Sequence, residues 1–295
     1  MALDLASCSA LGLLIERQRV AWPEHGPFLE RSYGERGSAL LETSETVARC
    51  ICRLAESGVV DIDTLCADYR FLCEKIVLPE ELFFRRHRRY RLSTFKEAFD
   101  ECYSRHDFMT RYINGLLISI VHWRNHTAAV DHYLRVFLPN SIDGGRHIEV
   151  GPGHGLLLHL AATDPRCGAA IGWDISEASL SATARALKVL GGNSRVALAL
   201  RDVFAPEAVE PADSIVLSEV LEHVEQAREG IFLKNALASL APNGVMIVST
   251  VRMWAMSVDV SYSTMSGGTE LRCTTGKWHR SMPFSPISCT ETAIS

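Results

Sequence analysis

His147-Ile-Glu149-Val-Gly151-Pro-Gly153-His-Gly155 is the stretch whose reading decides the fold: an apolar strand runs into three alternating glycines, and an apolar helical segment, 156–162, follows at once. A strand that ends in a glycine loop at a helix N-terminus lets backbone approach a ligand closely and offers it unpaired N–H donors. The spacing limits the ligand. A dinucleotide turn needs G-x-G-x-x-G, and counted from Gly151 the third glycine position is Leu156, so the glycine comes one residue early.

Downstream, residues 169–173 form a second short apolar strand ending in Asp174, nineteen residues beyond Gly155. An acid at about 20 residues is where a vicinal ribose diol is held, because one carboxylate accepts from both hydroxyls. Capping of the next helix, 175–190, is its other role, which Ser176 could fill equally well. A third strand, 195–200, leads to Arg201-Asp202-Val203-Phe204, and a fourth, 213–218, continues into Glu219-Val-Leu-Glu222-His223. Leu240, Pro242 and Gly244 mark a turn before a buried fifth strand, 245–249. Strands alternating with helices predict an α/β, Rossmann-like, doubly wound, mainly parallel sheet, with ligands collected at the carboxyl ends of its strands.

With these motifs in place, residues 146–250 resemble the class I S-adenosylmethionine-dependent methyltransferases, whose first motif is acidic-x-G-x-G-x-G, here Glu149, Gly151, Gly153 and Gly155. The resemblance implies S-adenosyl-L-methionine as cofactor. It places Glu149, Gly151, Pro152, Gly153 and Gly155 in the loop around the donor, and Asp174 with Ile175 at the ribose. Asp202 then accepts from the adenine amine while the Val203 N–H meets a ring nitrogen, with Phe204 flanking the ring. Ser218 and Glu219 stand beside the methyl group.

On a helix starting at Glu219, Glu219 and His223 share a face with Glu222 adjacent. Three readings stay open there. Glu219, Glu222 and His223 bind a divalent metal such as Mg2+; or His223, with Glu219, does catalytic proton chemistry without metal; or the two acids merely complement the helix dipole.

Residues 1–140 read as a helical N-terminal lid region, 141–250 as the cofactor-binding core and 251–295 as an atypical tail. In the lid region Leu40, Leu41, Val47, Ile51 and Leu54 recur at helical spacing over 38–56, and 61–73 reads as another helix. Tyr103, Phe108, Tyr112, His122, Trp123, Asn125 and His126 supply an aromatic and polar stretch suited to a substrate pocket or to core. Phe83-Phe84-Arg85-Arg86-His87-Arg88-Arg89-Tyr90-Arg91 is a basic run that either meets an anionic partner or pairs with Glu80, Glu81, Glu97 and Asp100. The tail holds fourteen Ser and Thr in forty-five residues. It reads either as a hairpin across Gly267-Gly268 or as a foreign, largely disordered segment, and the abrupt composition change favours the second.

At 295 residues, 47% hydrophobic and net charge −5, the chain can bury a sizeable core, and its slight acidity argues against nucleic acid as partner. No apolar run has the length of a membrane span, so a cytoplasmic location is the default expectation. Nine scattered cysteines read as buried, reduced packing residues. The expected function is methyl transfer to a small-molecule metabolite. Two alternatives belong to other classes: a binding or regulatory protein on a methyltransferase scaffold, marked by donor binding without turnover, and an NAD(P)-dependent oxidoreductase, disfavoured by the glycine spacing.

Overall fold

The structure is a computed structural model that describes residues 9–87, 91, 106–205, 210–249, 260–264 and 272–275. Among the described residues, seven α-helices precede the sheet: α1 (Ser9–Ala21), α2 (Gly26–Gly34), α3 (Ser38–Glu56), α4 (Ile62–Phe71), α5 (Leu78–His87), α6 (His106–His122) and α7 (Arg124–His132). Then come β1 (Gly145–Val150), α8 (Leu156–Thr163), β2 (Cys167–Asp174), α9 (Glu177–Leu190), β3 (Val196–Leu200), β4 (Ala212–Ser218), α10 (Glu229–Ala238) and β5 (Leu240–Ser249). Two further strands are β6 (Val260–Thr264) and β7 (Arg272–Thr275).

The sheet order is β3-β2-β1-β4-β5-β6-β7, with the first five strands parallel and β6 antiparallel to both β5 and β7. The expected Rossmann-like architecture is therefore present. Because β1 lies between β2 and β4, chain direction across the sheet reverses there, and the crevice opens above the carboxyl ends of β1 and β4. Ile148, Ile215 and Leu217 are fully buried, since a parallel strand covered on both faces is apolar throughout.

The turn expected over Leu240, Pro242 and Gly244 is accommodated as a bulge inside β5. Ala212 pairs with Leu240, Ser214 pairs with Val245, and Asn243 takes φ +68°. β6 and β7 form the hairpin, so for those nine residues the disordered-tail expectation is corrected: their backbone continues the sheet beyond β5. The remaining tail lies outside the described residues, as do Tyr103, Arg88, Arg89, Tyr90, Glu97 and Asp100.

The N-terminal helices do not sit apart from the sheet. One buried cluster runs from Leu11, Leu14 and Ile51 through Ile118 and Val130 to Leu156, Leu160, Val216 and Ile247. Polar side chains join the same layers. His147 on β1 bridges the Tyr133 hydroxyl, 3.0 Å away, and Ser214 Oγ, 2.9 Å away, on β4. The basic run is partly paired as its bland reading required, Arg85 with Glu81 and Arg91 with Glu80. Cys50, Cys52, Cys66 and Cys167 are free and buried, as packing residues should be.

Burial pushes the His147 imidazole down to about 4 and that of His122 down to about 3, so both are neutral in the folded protein. In the unfolded chain a histidine titrates near 6.5. Between pH 6.5 and 4 the unfolded state therefore takes up protons that the folded state refuses, and stability falls as pH falls. Each group contributes up to about 1.4 kcal/mol per pH unit inside that window and nothing further above it. Urea midpoints are expected to drop between pH 7.5 and 5.0, less the opposing contribution of the buried Glu149 carboxyl, with a smaller drop in His147→Gln; an identical drop in parent and variant contradicts the assignment.

Candidate functional site at the carboxyl ends of the strands

All three loop glycines occupy the left-handed region, with φ of +68° at Gly151, +51° at Gly153 and +70° at Gly155. A side chain at any of them is strained, which explains the alternation read in the sequence. The loop is tied down from several sides. Gly151 N–H donates to the Trp173 carbonyl at 2.7 Å, Gly155 N–H to the Pro152 carbonyl at 2.6 Å, and Thr183 Oγ1 on α9 donates to the Gly153 carbonyl at 2.7 Å. The His154 ring hydrogen-bonds the Ile113 backbone carbonyl on α6, linking the loop to the N-terminal helices. Pro152 sits over Gly172, whose missing Cβ would lie 3.2 Å from Pro152 Cγ and 2.7 Å from Leu198 Cδ2. Thr183, His154 and Gly172 carried no motif signal, because their roles depend on contacts between elements.

Glu149 is 3% exposed, and its Oε2 has no hydrogen-bond partner. The Leu158 N–H, in the first turn of α8, bonds its carboxyl, but burial dominates and holds the group far above the usual carboxylate range. A buried, unpartnered carboxyl oxygen under a glycine loop fits the amine of an amino-acid moiety, because that cation would compensate its burial.

Asp174, at the end of β2, accepts from Ser176 N–H at 2.9 Å and from Ser179 Oγ at 2.6 Å. Ser176 itself caps α9, accepting from Ser179 N–H at 3.3 Å. Ser176 thus fills the capping role, while each Asp174 carboxylate oxygen keeps a second lone pair. Ile175 beside it is 72% exposed, an apolar side chain at the end of β2.

Asp202 is exposed and its Oδ1 accepts from Phe204 N–H at 2.9 Å, while Val203 is buried and its carbonyl accepts from Asn235 Nδ2 at 3.0 Å. Phe204 packs edge-on against Phe232, 5.4 Å away, beneath the Arg228 guanidinium. Arg201 lies over the Trp173 ring at 4.4 Å, and its N–H bonds the Asp174 carbonyl at 2.7 Å.

At the end of β4 the sequence expectation needs correction. Glu219 does not begin a helix: it has φ +54°, and its N–H donates to the Ser249 carbonyl at 2.9 Å, so it is still bound to the strand end. Leu221–His223 is a single 3-10 turn and α10 starts only at Glu229, so Glu219 and His223 do not share a helical face. Among the described residues no group of three His, Cys, Asp or Glu side chains forms a metal cage. The Glu222 side chain lies outside those described. Ser218 Oγ accepts from Ser249 Oγ at 3.1 Å. Glu219 and His223 remain electrostatic neighbours, and the carboxylate opposes the burial that lowers the His223 imidazole. A residue from the helical region also reaches this point: His126 Nε2 lies 3.8 Å from Glu219 Oε1.

A sheet of this order, with its glycine turn after the central strand and acids after the next two, defines a Rossmann-like protein with a nucleoside-type crevice. The methyltransferase-domain family model matches residues 121–282, more than half of the chain, and the chain belongs to this family, the class I S-adenosylmethionine-dependent methyltransferases. Among sequence relatives, it is 36% identical over 120 residues to the ubiquinone biosynthesis O-methyltransferase of Bradyrhizobium diazoefficiens and 37% identical over the same length to that of Rhodopseudomonas palustris. Each match covers 39% of this chain and 44% of the relative, so the chain spans less than half the length of these curated relatives. Among solved structures, the N-methyltransferase NodS from Bradyrhizobium japonicum WM9, in complex with S-adenosylhomocysteine, is similar at 16% identity and a TM-score of 0.40, covering 52% of this chain and 72% of NodS. An O-methyltransferase family protein from Burkholderia thailandensis reaches 0.44 at 16% identity, covering 64% of this chain and 54% of that one. Among the described residues no helix is long and apolar enough to cross a membrane.

Proposed function

We propose that this protein transfers a methyl group from S-adenosyl-L-methionine to a small-molecule metabolite. The observation that carries this reading is the crevice itself: three left-handed glycines over the orphaned Glu149 oxygen, with Asp174 and Asp202 after the next two strands. Bound there, the cofactor would supply an electrophilic methyl on a sulfonium. Glu149 would face its amine and the Gly151–Gly155 backbone its amino-acid portion. Asp174, with Ile175 beneath, would hold the ribose; Asp202 and the Val203 N–H would read the base. Ser218 and Glu219 would stand where the methyl leaves, and Glu219 or His223 would take the acceptor's proton. Alignment and exclusion of water are what the fold contributes, and residues 1–140, as lid, would serve the second. The sequence relatives' names favour oxygen as the accepting atom.

The test is calorimetric titration of the full chain with S-adenosylhomocysteine. Saturable binding is expected, and no binding by a folded chain overturns the reading. Glu149 adds a second expectation. Burial shifts its carboxyl toward the protonated form when the crevice is empty, so an ammonium placed against it should favour release of a proton into solution. Binding enthalpies measured near pH 7.5 should differ between Tris and phosphate in the sense of net proton release to the buffer. In Glu149→Gln that difference should vanish; if it is already absent in the parent, Glu149 is not the group that meets the amine.

A further inference from the structure

Thr183, on α9, is fully buried, and its two branches touch two different glycines of the loop after β1. Its hydroxyl lies 2.7 Å from the Gly153 carbonyl, and its methyl Cγ2 stands 3.0 Å from where a Cβ on Gly155 would be. The hydroxyl has one proton and a second carbonyl in reach, that of Ser179 at 3.0 Å, one helical turn back. Ser179 lies inside the helix, where its carbonyl already accepts from the backbone N–H four residues on. The Gly153 carbonyl has no other donor among the described residues and is the nearer of the two, so the proton goes to it.

That hydrogen bond sets a direction. In a planar trans peptide the carbonyl and the following N–H point opposite ways, and the Gly153–His154 peptide is trans. A carbonyl turned onto α9 therefore turns the His154 N–H away from it. Neither this N–H nor that of Gly153 meets an acceptor among the described residues. The space beside Gly153 is open: a Cβ there would meet nothing within 4 Å, whereas one on Gly151 would lie 3.0 Å from Val220 Cγ2. Consecutive unpaired N–H groups at an open loop suit an anion. The His154 ring, bonded to the Ile113 carbonyl of α6, braces the same residue from a second helix.

We propose that Thr183 is a positioning residue for the methyl donor: by holding the Gly153 carbonyl it keeps the Gly153–His154 peptide in the orientation that presents the His154 N–H to the donor's carboxylate. The proposal rests on the methyltransferase reading and deepens it. Glu149 and this peptide divide the amino-acid portion between them, the acid meeting the amine and the N–H the carboxylate. Thr183 acts through the peptide and touches no part of the donor.

The test titrates the full chain with S-adenosylhomocysteine and with S-adenosyl-3-thiopropylamine, which keeps the nucleoside, the sulfur and the amine and lacks only the carboxylate. Thr183→Val keeps the branch against Gly155 and removes the hydroxyl, while Thr183→Ser keeps the hydroxyl and removes the branch. Thr183→Val is expected to weaken S-adenosylhomocysteine by about tenfold, the loss of one hydrogen bond, and to hold the amine analogue within about twofold of the parent. Thr183→Ser should bind both ligands like the parent. In the free protein the Gly153 carbonyl 13C resonance should move upfield in Thr183→Val and stay in place in Thr183→Ser, which reads the hydrogen bond without any ligand. Equal losses for the two ligands in Thr183→Val would mark a purely structural threonine and overturn the proposal. An unmoved Gly153 resonance would put the proton on Ser179 and overturn it too, as would a parent that binds the amine analogue as tightly as S-adenosylhomocysteine. No binding of either ligand by the folded parent would overturn the methyltransferase reading together with this proposal.

Discussion

Asp174→Ala is expected to reduce affinity for S-adenosylhomocysteine by on the order of a hundredfold or more, because two charge-assisted hydrogen bonds to a ribose diol are lost and each contributes about 1.5–3 kcal/mol. The same carboxylate also accepts from Ser176 N–H and Ser179 Oγ, so its removal leaves two donors at the start of α9 without their acceptor. Two further variants separate these effects. Ser179→Ala keeps the carboxylate and removes one internal partner, and it should bind within a few-fold of the parent. Asp174→Asn preserves an oxygen acceptor at the start of α9 but removes the charge, and it should lose most of the affinity while unfolding at nearly the parent temperature. Parent-like binding by Asp174→Ala, read by the same calorimetry, would show that the ribose is held elsewhere.

The largest stability effect is expected at Arg36, a residue far from the crevice. The residue is 3% exposed, and all five guanidinium donors meet neutral oxygens: Ser32 O and Ser32 Oγ on α2, Ser44 Oγ on α3, the His122 carbonyl on α6 and Thr127 Oγ1 on α7. The guanidinium also lies over the Tyr33 ring at 4.1 Å. Each hydroxyl in this set gives its own proton to a backbone carbonyl, Ser32 to His122, Ser44 to Leu40 and Thr127 to Ile120, so each is free to accept only from Arg36. Arg36→Ala would strand these acceptors in a buried environment and open a cavity among four helices. A cost of about 3 kcal/mol or more follows, which lowers the melting temperature by roughly 10 °C for a chain of this size. Arg36→Lys should recover little, since an ammonium has three donors and no planar fork. A change of under about 0.5 kcal/mol in Arg36→Ala, a typical exposed-site effect, would show that the network is dispensable.

The core of this fold could be read from residue order because its signals are local. A strand, three glycines and a helix in direct succession, then acids at the ends of the next strands, are set by backbone sterics and by where a parallel sheet presents its carboxyl ends. The positive φ at Gly151, Gly153 and Gly155 confirms that the alternation is a conformational requirement. The segment after β4 departs from its local pattern. Glu219-Val-Leu-Glu222-His223 has the spacing of a helical face, yet the Glu219 N–H is captured by the Ser249 carbonyl of β5, and a residue held by a strand cannot open a helix. Helical periodicity is a property of the segment, whereas that hydrogen bond comes from a strand thirty residues later.

The tail shows the same limit from the other side. Its composition favoured disorder, but the backbone of Val260–Thr264 pairs with β5, because an exposed sheet edge rewards any strand that reaches it. Neither His126, one of several residues suited to a pocket or to core, nor Arg36 could be given a partner before the elements were placed. One is a histidine in a polar stretch, the other an arginine between two helices, and neither carries a pattern. The sequence by itself determined the class of the core, the glycine turn and the acids above it, since these depend on neighbours within a few residues. Only the tertiary structure decided that the N-terminal helices share one core with the sheet, that Arg36 joins four of them, and that His126 reaches Glu219, because burial and unsatisfied hydrogen bonds exist only once distant segments meet.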